Sequence, residues 1–151
     1  MRQPVPTGGR RILPALCLAA LCIHPGCTRS GRKPVYPVHG KVLVDGKPAP
    51  EAFVYFHPED PADPGPGFAF GQVDEAGAFA MSTYVAGDGV PAGDYVITIE
   101  WPQRSGLLKN DFQGPDRLKG RYADRKASTF RFRVEKKGNE VPPFELSAGG
   151  G

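Results

Sequence analysis

Asp94-Tyr95-Val96-Ile97-Thr98-Ile99-Glu100-Trp101 is the stretch that decides the fold of this chain. Tyr95, Ile97, Ile99 and Trp101 fall on one side of an extended backbone, and Val96, Thr98 and Glu100 fall on the other. That period of two predicts a strand with one face in a core. The same period recurs on both sides of it. Upstream lie Val38-His39-Gly40-Lys41-Val42-Leu43-Val44, Ala52-Phe53-Val54-Tyr55-Phe56-His57, Phe68-Ala69-Phe70-Gly71-Gln72-Val73 and Ala78-Phe79-Ala80-Met81-Ser82-Thr83-Tyr84. Downstream, residues 128–135 carry Phe130, Phe132 and Val134 against Arg131, Arg133 and Glu135, and residues 140–146 form a last run.

Turn residues separate these runs. Asp45-Gly46 is a strong two-residue hairpin signal, predicted to bring residues 38–44 against 52–57, and Asp74-Glu75-Ala76-Gly77 is a second turn of that kind. Lys136-Lys137-Gly138-Asn139 joins the last two runs. The 20 Gly and 17 Pro residues fall mostly between apolar runs, a pattern of many turns. Residues 102–125 hold neither period and predict a long loop, with a helical turn near Arg117 to Arg121. Seven short strands without a helix of useful length predict an all-β sandwich.

The N-terminus sets an address. Arg2, Arg10 and Arg11 precede an apolar run from Ile12 to Ile23, the pattern of an export signal whose apolar part is too short to span a bilayer. All three cysteines, Cys17, Cys22 and Cys27, lie in this segment, so an exported domain must hold itself by core packing without disulfides. Cys27 follows Gly26 and opens the polar stretch Thr28-Arg29-Ser30-Gly31-Arg32-Lys33. The segment resembles a bacterial lipobox, with His24 in place of the usual aliphatic residue. The expected organisation is a signal peptide over residues 1–26, a lipid-bearing Cys27 on a tether over 27–34, a β-sandwich over 35–146 and a fraying tail over 147–151.

The formal charge of +3 belongs to the signal: removing its three arginines from the 19 basic residues balances the 16 acids. Acids dominate residues 41–100 and bases dominate 104–137, which predicts mutual compensation across the folded surface. No alternation of aromatic and basic residues suggests a nucleic-acid platform.

Val38-His39-Gly40-Lys41-Val42 with Asp45-Gly46-Lys47-Pro48, then Phe53-Val54-Tyr55-Phe56, Asp74-Glu75-Ala76-Gly77-Ala78-Phe79 and Pro91-Ala92-Gly93-Asp94-Tyr95, resemble in their order a carboxypeptidase-regulatory-like domain. Small bacterial envelope lipoproteins built from one such domain are similar in particular. The resemblance implies a transthyretin-like (prealbumin-like), seven-stranded antiparallel Greek-key sandwich, accessory or adhesive rather than catalytic. The one enzyme of that fold class, a hydroxyisourate hydrolase, would require a C-terminal signature that Ser147-Ala148-Gly149-Gly150-Gly151 does not supply.

Candidate chemistry is sparse. His39 and His57 could approach through the first hairpin, but no Cys or third His in the domain completes a zinc set. Glu59, Asp60 and Asp63 share a loop whose prolines and spacing do not match a calcium loop. No nucleophile stands in a catalytic context, so no metal, cofactor or reaction is expected. Trp101, Phe112 and Tyr122 are the expected binding surface, with loop anchoring as their plainer task. The expectation is a non-catalytic lipoprotein of the bacterial cell envelope, held to a membrane through Cys27 and facing the periplasm or the cell surface; simple secretion is the rival address. The expected partner is an envelope protein or glycan; the alternative role is an accessory subunit of an envelope enzyme or transport assembly.

Overall fold

The computed structural model describes Met1 and residues 32–63, 65–104 and 114–149. Within them the chain forms strands and no helix: β1 (Val35–Tyr36), β2 (Val38–Val44), β3 (Lys47–Pro48), β4 (Phe53–Pro58), β5 (Ala69–Gln72), β6 (Ala78–Ala80), β7 (Val90–Pro91), β8 (Gly93–Glu100), β9 (Arg131–Val134), β10 (Asn139–Glu140) and β11 (Phe144–Leu146). Among the described residues, no helix is long and apolar enough to cross a membrane.

One sheet has the order β5-β4-β8-β9, and a second gathers β3, β6, β10 and β11 around β2. Alternation explains how each closes on the core. In β2, Val38, Val42 and Val44 are buried while His39 and Lys41 are exposed. In the other sheet Val54, Phe56, Ile97 and Ile99 are fully buried in the same apolar cluster as Phe144 and Leu146. Burying a side chain such as Ile97 stabilises by about 1.5–3 kcal/mol, and no disulfide supplements that packing among the described residues. A third, two-stranded sheet pairs β1 with β7, and the all-β architecture of the two larger sheets follows from the period of two.

The seven short, wholly antiparallel strands expected from the sequence are corrected to eleven among the described residues, two of which pair in parallel. β10 and β11 lie parallel to β2, with Asn139 opposite Val38 and Phe144 opposite Val42. The cause is that turns with hairpin chemistry carry the chain from one sheet to the other. Asp45 and Gly46, at φ 50° and 75°, do make a tight hairpin, but it reaches only Lys47 and Pro48. Pro48 and Pro50 lack the amide hydrogen needed to extend it, and the chain crosses to β4 in the opposite sheet. The turn at 136–138 likewise leads from β9 to β10 across the sandwich. Pro142 and Pro143 then split the last run into β10 and β11.

The 102–125 segment is anchored rather than free where it is described. Asp116 accepts N–H bonds from Trp101 (2.8 Å), Leu118 (3.0 Å) and Gly120 (2.8 Å). Leu118, 1% exposed, enters the core. Residues 117–123 form turns in place of the expected helical turn. The two halves of opposite charge meet as expected: Glu51 with Arg104, Glu59 with Arg131 at 2.9 Å and Asp94 with Arg133 at 3.7 Å.

Candidate functional site

The outer face of the β5-β4-β8-β9 sheet carries the densest set of chemically distinctive side chains. Register puts Tyr55 opposite both Phe70 and Thr98, Phe53 opposite Glu100, and His57 opposite Val96, so these side chains share one face. Tyr55 stands between Phe53 and His57 with ring centroids 6.3 Å from each, and Phe68 meets it edge-on at 5.9 Å. Tyr55, His57, Phe68, Thr98, Glu100, Ala123 and Arg125 wall one shallow recess. Its floor is Thr98, 2% exposed, whose Oγ1 lies 2.9 Å from His57 Nε2. Arg125 is brought to the rim by its guanidinium bond to the Pro58 carbonyl.

Burial shifts the ionisable groups here. It lowers the pKa of His57, and the Arg125 charge lowers it further. It raises that of Glu100, aided by Asp116, and that of Tyr55, aided by Glu100. The recess therefore favours a neutral imidazole and an uncharged phenol. Thr98 and His57 pair a hydroxyl with a base, but the hydroxyl is sealed beneath the rings and no hydrogen bond among the described residues sets a carboxylate behind His57. What the arrangement offers is aromatic surface with polar groups at its edges.

The folded pKa of His57 lies below its ordinary value of 6.5, so the unfolded chain takes up its proton first. This contribution to stability is fully present above pH 6.5 and is lost as pH falls through the folded value. Glu100 acts in the opposite sense, since its raised pKa adds stability as it protonates on acidification. In urea unfolding from pH 7.5 downward, His57→Gln is expected to lose less stability below pH 6.5 than the parent chain. Equal losses would assign the pH dependence to other groups.

The residues expected to bind are placed separately. Trp101 is half-buried against the core; its Nε1 donates to the Pro50 carbonyl at 2.9 Å, and the Arg117 guanidinium covers its ring at 4.9 Å. Tyr122 stacks on Phe130 at 6.1 Å, and its hydroxyl accepts the Ser147 N–H at 3.1 Å. Both carry anchoring contacts. Phe112 and Cys27 lie outside the described residues. Residues 147–149, expected to fray, are held by Tyr122 and by Arg121, whose guanidinium donates to the Ser147 and Gly149 carbonyls.

His39 and His57 lie on different sheets, on β2 and β4, so the first turn does not bring them together. In the acidic loop, Asp60 accepts the Ala62 N–H at 2.8 Å, while Asp63 accepts that of Gly65 at 2.7 Å and pairs with Lys33. Among the described residues no group of three or more His, Cys, Asp or Glu is placed to hold a metal ion.

No family model matches the chain, and no curated protein matches it. Among solved structures, the chain is similar to a DUF3823 family protein from Bacteroides ovatus ATCC 8483, with 15% identity and a TM-score of 0.38 over 74% of this chain and 44% of that one. The chain thus spans less than half the length of that protein. The likeness is one between distant β-rich folds, and it reaches neither a carboxypeptidase-regulatory-like assignment nor a function.

Proposed function

We propose that this chain is a non-catalytic envelope lipoprotein, in which a Greek-key, carboxypeptidase-regulatory-like β-sandwich tethered through Cys27 binds a glycan of the cell envelope. The observation that carries the binding role is the recess itself: the flat ring of Tyr55 between Phe53 and His57, with Glu100 and Arg125 at its edges. Sugar rings present apolar C–H faces and equatorial hydroxyls, and such an aromatic platform with a polar rim complements both. The family reading rests on the order of the turn motifs, and the address rests on the export signal and Gly26-Cys27.

The test is a titration with soluble envelope polysaccharide and peptidoglycan fragments, comparing the parent chain from Cys27 onward with Tyr55→Ala. Tyr55 is half-buried and its hydroxyl forms no hydrogen bond among the described residues, so the substitution removes a ring face at modest structural cost. Affinity is expected to fall about tenfold, the loss of roughly 1.4 kcal/mol of stacking. Saturable binding that survives Tyr55→Ala unchanged would place the ligand elsewhere, and no binding by the parent would remove the glycan reading.

A further inference from the structure

The end of the sandwich from which the chain leads back to Cys27 carries a loop, residues 82–89, with two small apolar side chains at its tip. β2 begins at Val38, preceded by β1, and the chain beyond Arg32 leads back to Cys27. Residues 82–89 are fastened at this same end. The Met81 N–H donates to the Val38 carbonyl at 3.0 Å, and β7, which follows the loop, pairs with β1. Arg32 and Lys33 meet the loop directly: the Arg32 guanidinium lies 5.1 Å over the Tyr84 ring, and the Lys33 N–H donates to the Tyr84 hydroxyl at 3.0 Å.

The loop satisfies its polar groups inward. The Asp88 carboxylate accepts the N–H groups of Thr83 (2.7 Å), Tyr84 (3.0 Å) and Val85 (3.1 Å). Burial opposes its ionisation, but those N–H groups prevail and hold its carboxyl below the ordinary range. Ser82 Oγ accepts the Gly87 N–H at 2.8 Å, and the Thr83 hydroxyl donates to the Gly89 carbonyl at 2.6 Å. What faces outward is Val85, 63% exposed, with Ala86 beside it; both share a shallow concavity with Phe70, 44% exposed. Val85 and Ala86 thus stand exposed on an ordered loop.

Charge and tether length point to the same occupant. At this end Lys136 lines a concavity with Lys33 and Tyr36, in the turn that places Asn139 opposite Val38. Asp63 pairs with Lys33, Glu135 with Lys137 and Asp88 with the loop backbone, while Glu140, opposite His39, is exposed. Arg32 and Lys136 are exposed and form no ion pair among the described residues. Arg32 is five residue steps along the chain from Cys27, so full extension spans at most about 18 Å. The Asp45-Gly46 turn lies at the far end of β2, seven residues further along.

We propose that residues 82–89, with Arg32 and Lys136, form a membrane-contacting end of the domain. Val85 and Ala86 enter the boundary between headgroups and acyl chains, and the two bases lie over anionic headgroups. The inference rests on the reading of Cys27 as the lipid-bearing residue. It adds an orientation, in which the Asp45-Gly46 end is held away from the membrane.

The test uses Val85→Trp, which is accommodated at an exposed position, in the chain from Cys27 to Gly151. The Cys27 thiol is coupled chemically to a maleimide lipid in vesicles of phosphatidylethanolamine and phosphatidylglycerol, with and without bromine on the acyl chains. Trp101 is an internal reference: its indole bonds Pro50, just past β3 and so at the Asp45-Gly46 end. The parent emission should be equal in the two vesicle types, whereas the emission added by Val85→Trp should be quenched about twofold or more by the brominated lipid. Equal added emission in both would overturn the proposal, and would assign the loop to an aqueous or protein contact if a water-soluble quencher reached it. Because the lipid is attached chemically, that failure counts against the loop alone; the mass of the native protein decides lipidation separately.

Discussion

Gly89→Ala is expected to destabilise the domain by about 4 kcal/mol, combining left-handed backbone strain with an overpacking clash that cannot relax. Gly89 has φ +101°, and a Cβ built there would lie 2.0 Å from the Tyr36 carbonyl oxygen and 2.4 Å from its carbon. Those are backbone atoms of β1, which pairs with β7 immediately after Gly89. The clash can be relieved only by separating the two strands or by releasing the Gly89 N–H bond to Met81 at 3.0 Å. Gly87 provides the comparison, since it too has positive φ (+73°) but nothing lies within 4 Å of its Cβ position. Gly87→Ala should therefore cost about 1 kcal/mol, from backbone strain alone. Urea midpoints of the two variants and the parent measure the difference. Similar small losses in both would mean that β1 does not pack against residue 89 as described.

The fold was legible where side chains alternate and illegible where the chain changes sheet. The apolar period marked the strands, and in β8 and β9 it also marked the inward face through Ile97 and Val134, whereas β5 buries Ala69 and Gly71 and leaves Phe70 exposed. Turn chemistry is local, however. Asp45-Gly46 reports a reversal of direction, but not that β4 would continue in the opposite sheet, nor that β10 and β11 would lie parallel to β2. That choice depends on which apolar faces pack together after the turns have formed.

The candidate site was hidden for a related reason. Tyr55, His57, Thr98 and Glu100 lie on two strands forty residues apart, and only the β4-β8 register brings them onto one recess. The alternation of 94–101 put Thr98 and Glu100 on the face away from the core, which was the available signal, but not what stood beside them. Asp88 and Asp116 were similarly silent: each orders a loop through three backbone N–H groups, a task that composition does not reveal. Trp101 and Tyr122 were conspicuous as aromatics, and the fold engages both as anchors.

The other large effect concerns Cys27. With an ordinary cleavable secretory signal in place of residues 1–26 and with Cys27→Ser, nearly all of the protein is expected to move from the membrane to the soluble fraction. Each buried acyl CH2 contributes about 0.8 kcal/mol, so two or three chains outweigh any contact the loop at Val85 supplies. A mature chain with balanced formal charge has no strong electrostatic hold of its own. Cys17 and Cys22 precede Cys27 and would leave with the signal. The same change leaves the recess untouched, so glycan affinity should be retained in the soluble form. The anchored module as a whole is tested most directly by the intact mass of the native protein extracted from membranes. The expected species begins at Cys27 and carries the added mass of two or three acyl groups; an unmodified chain would overturn the lipid anchor.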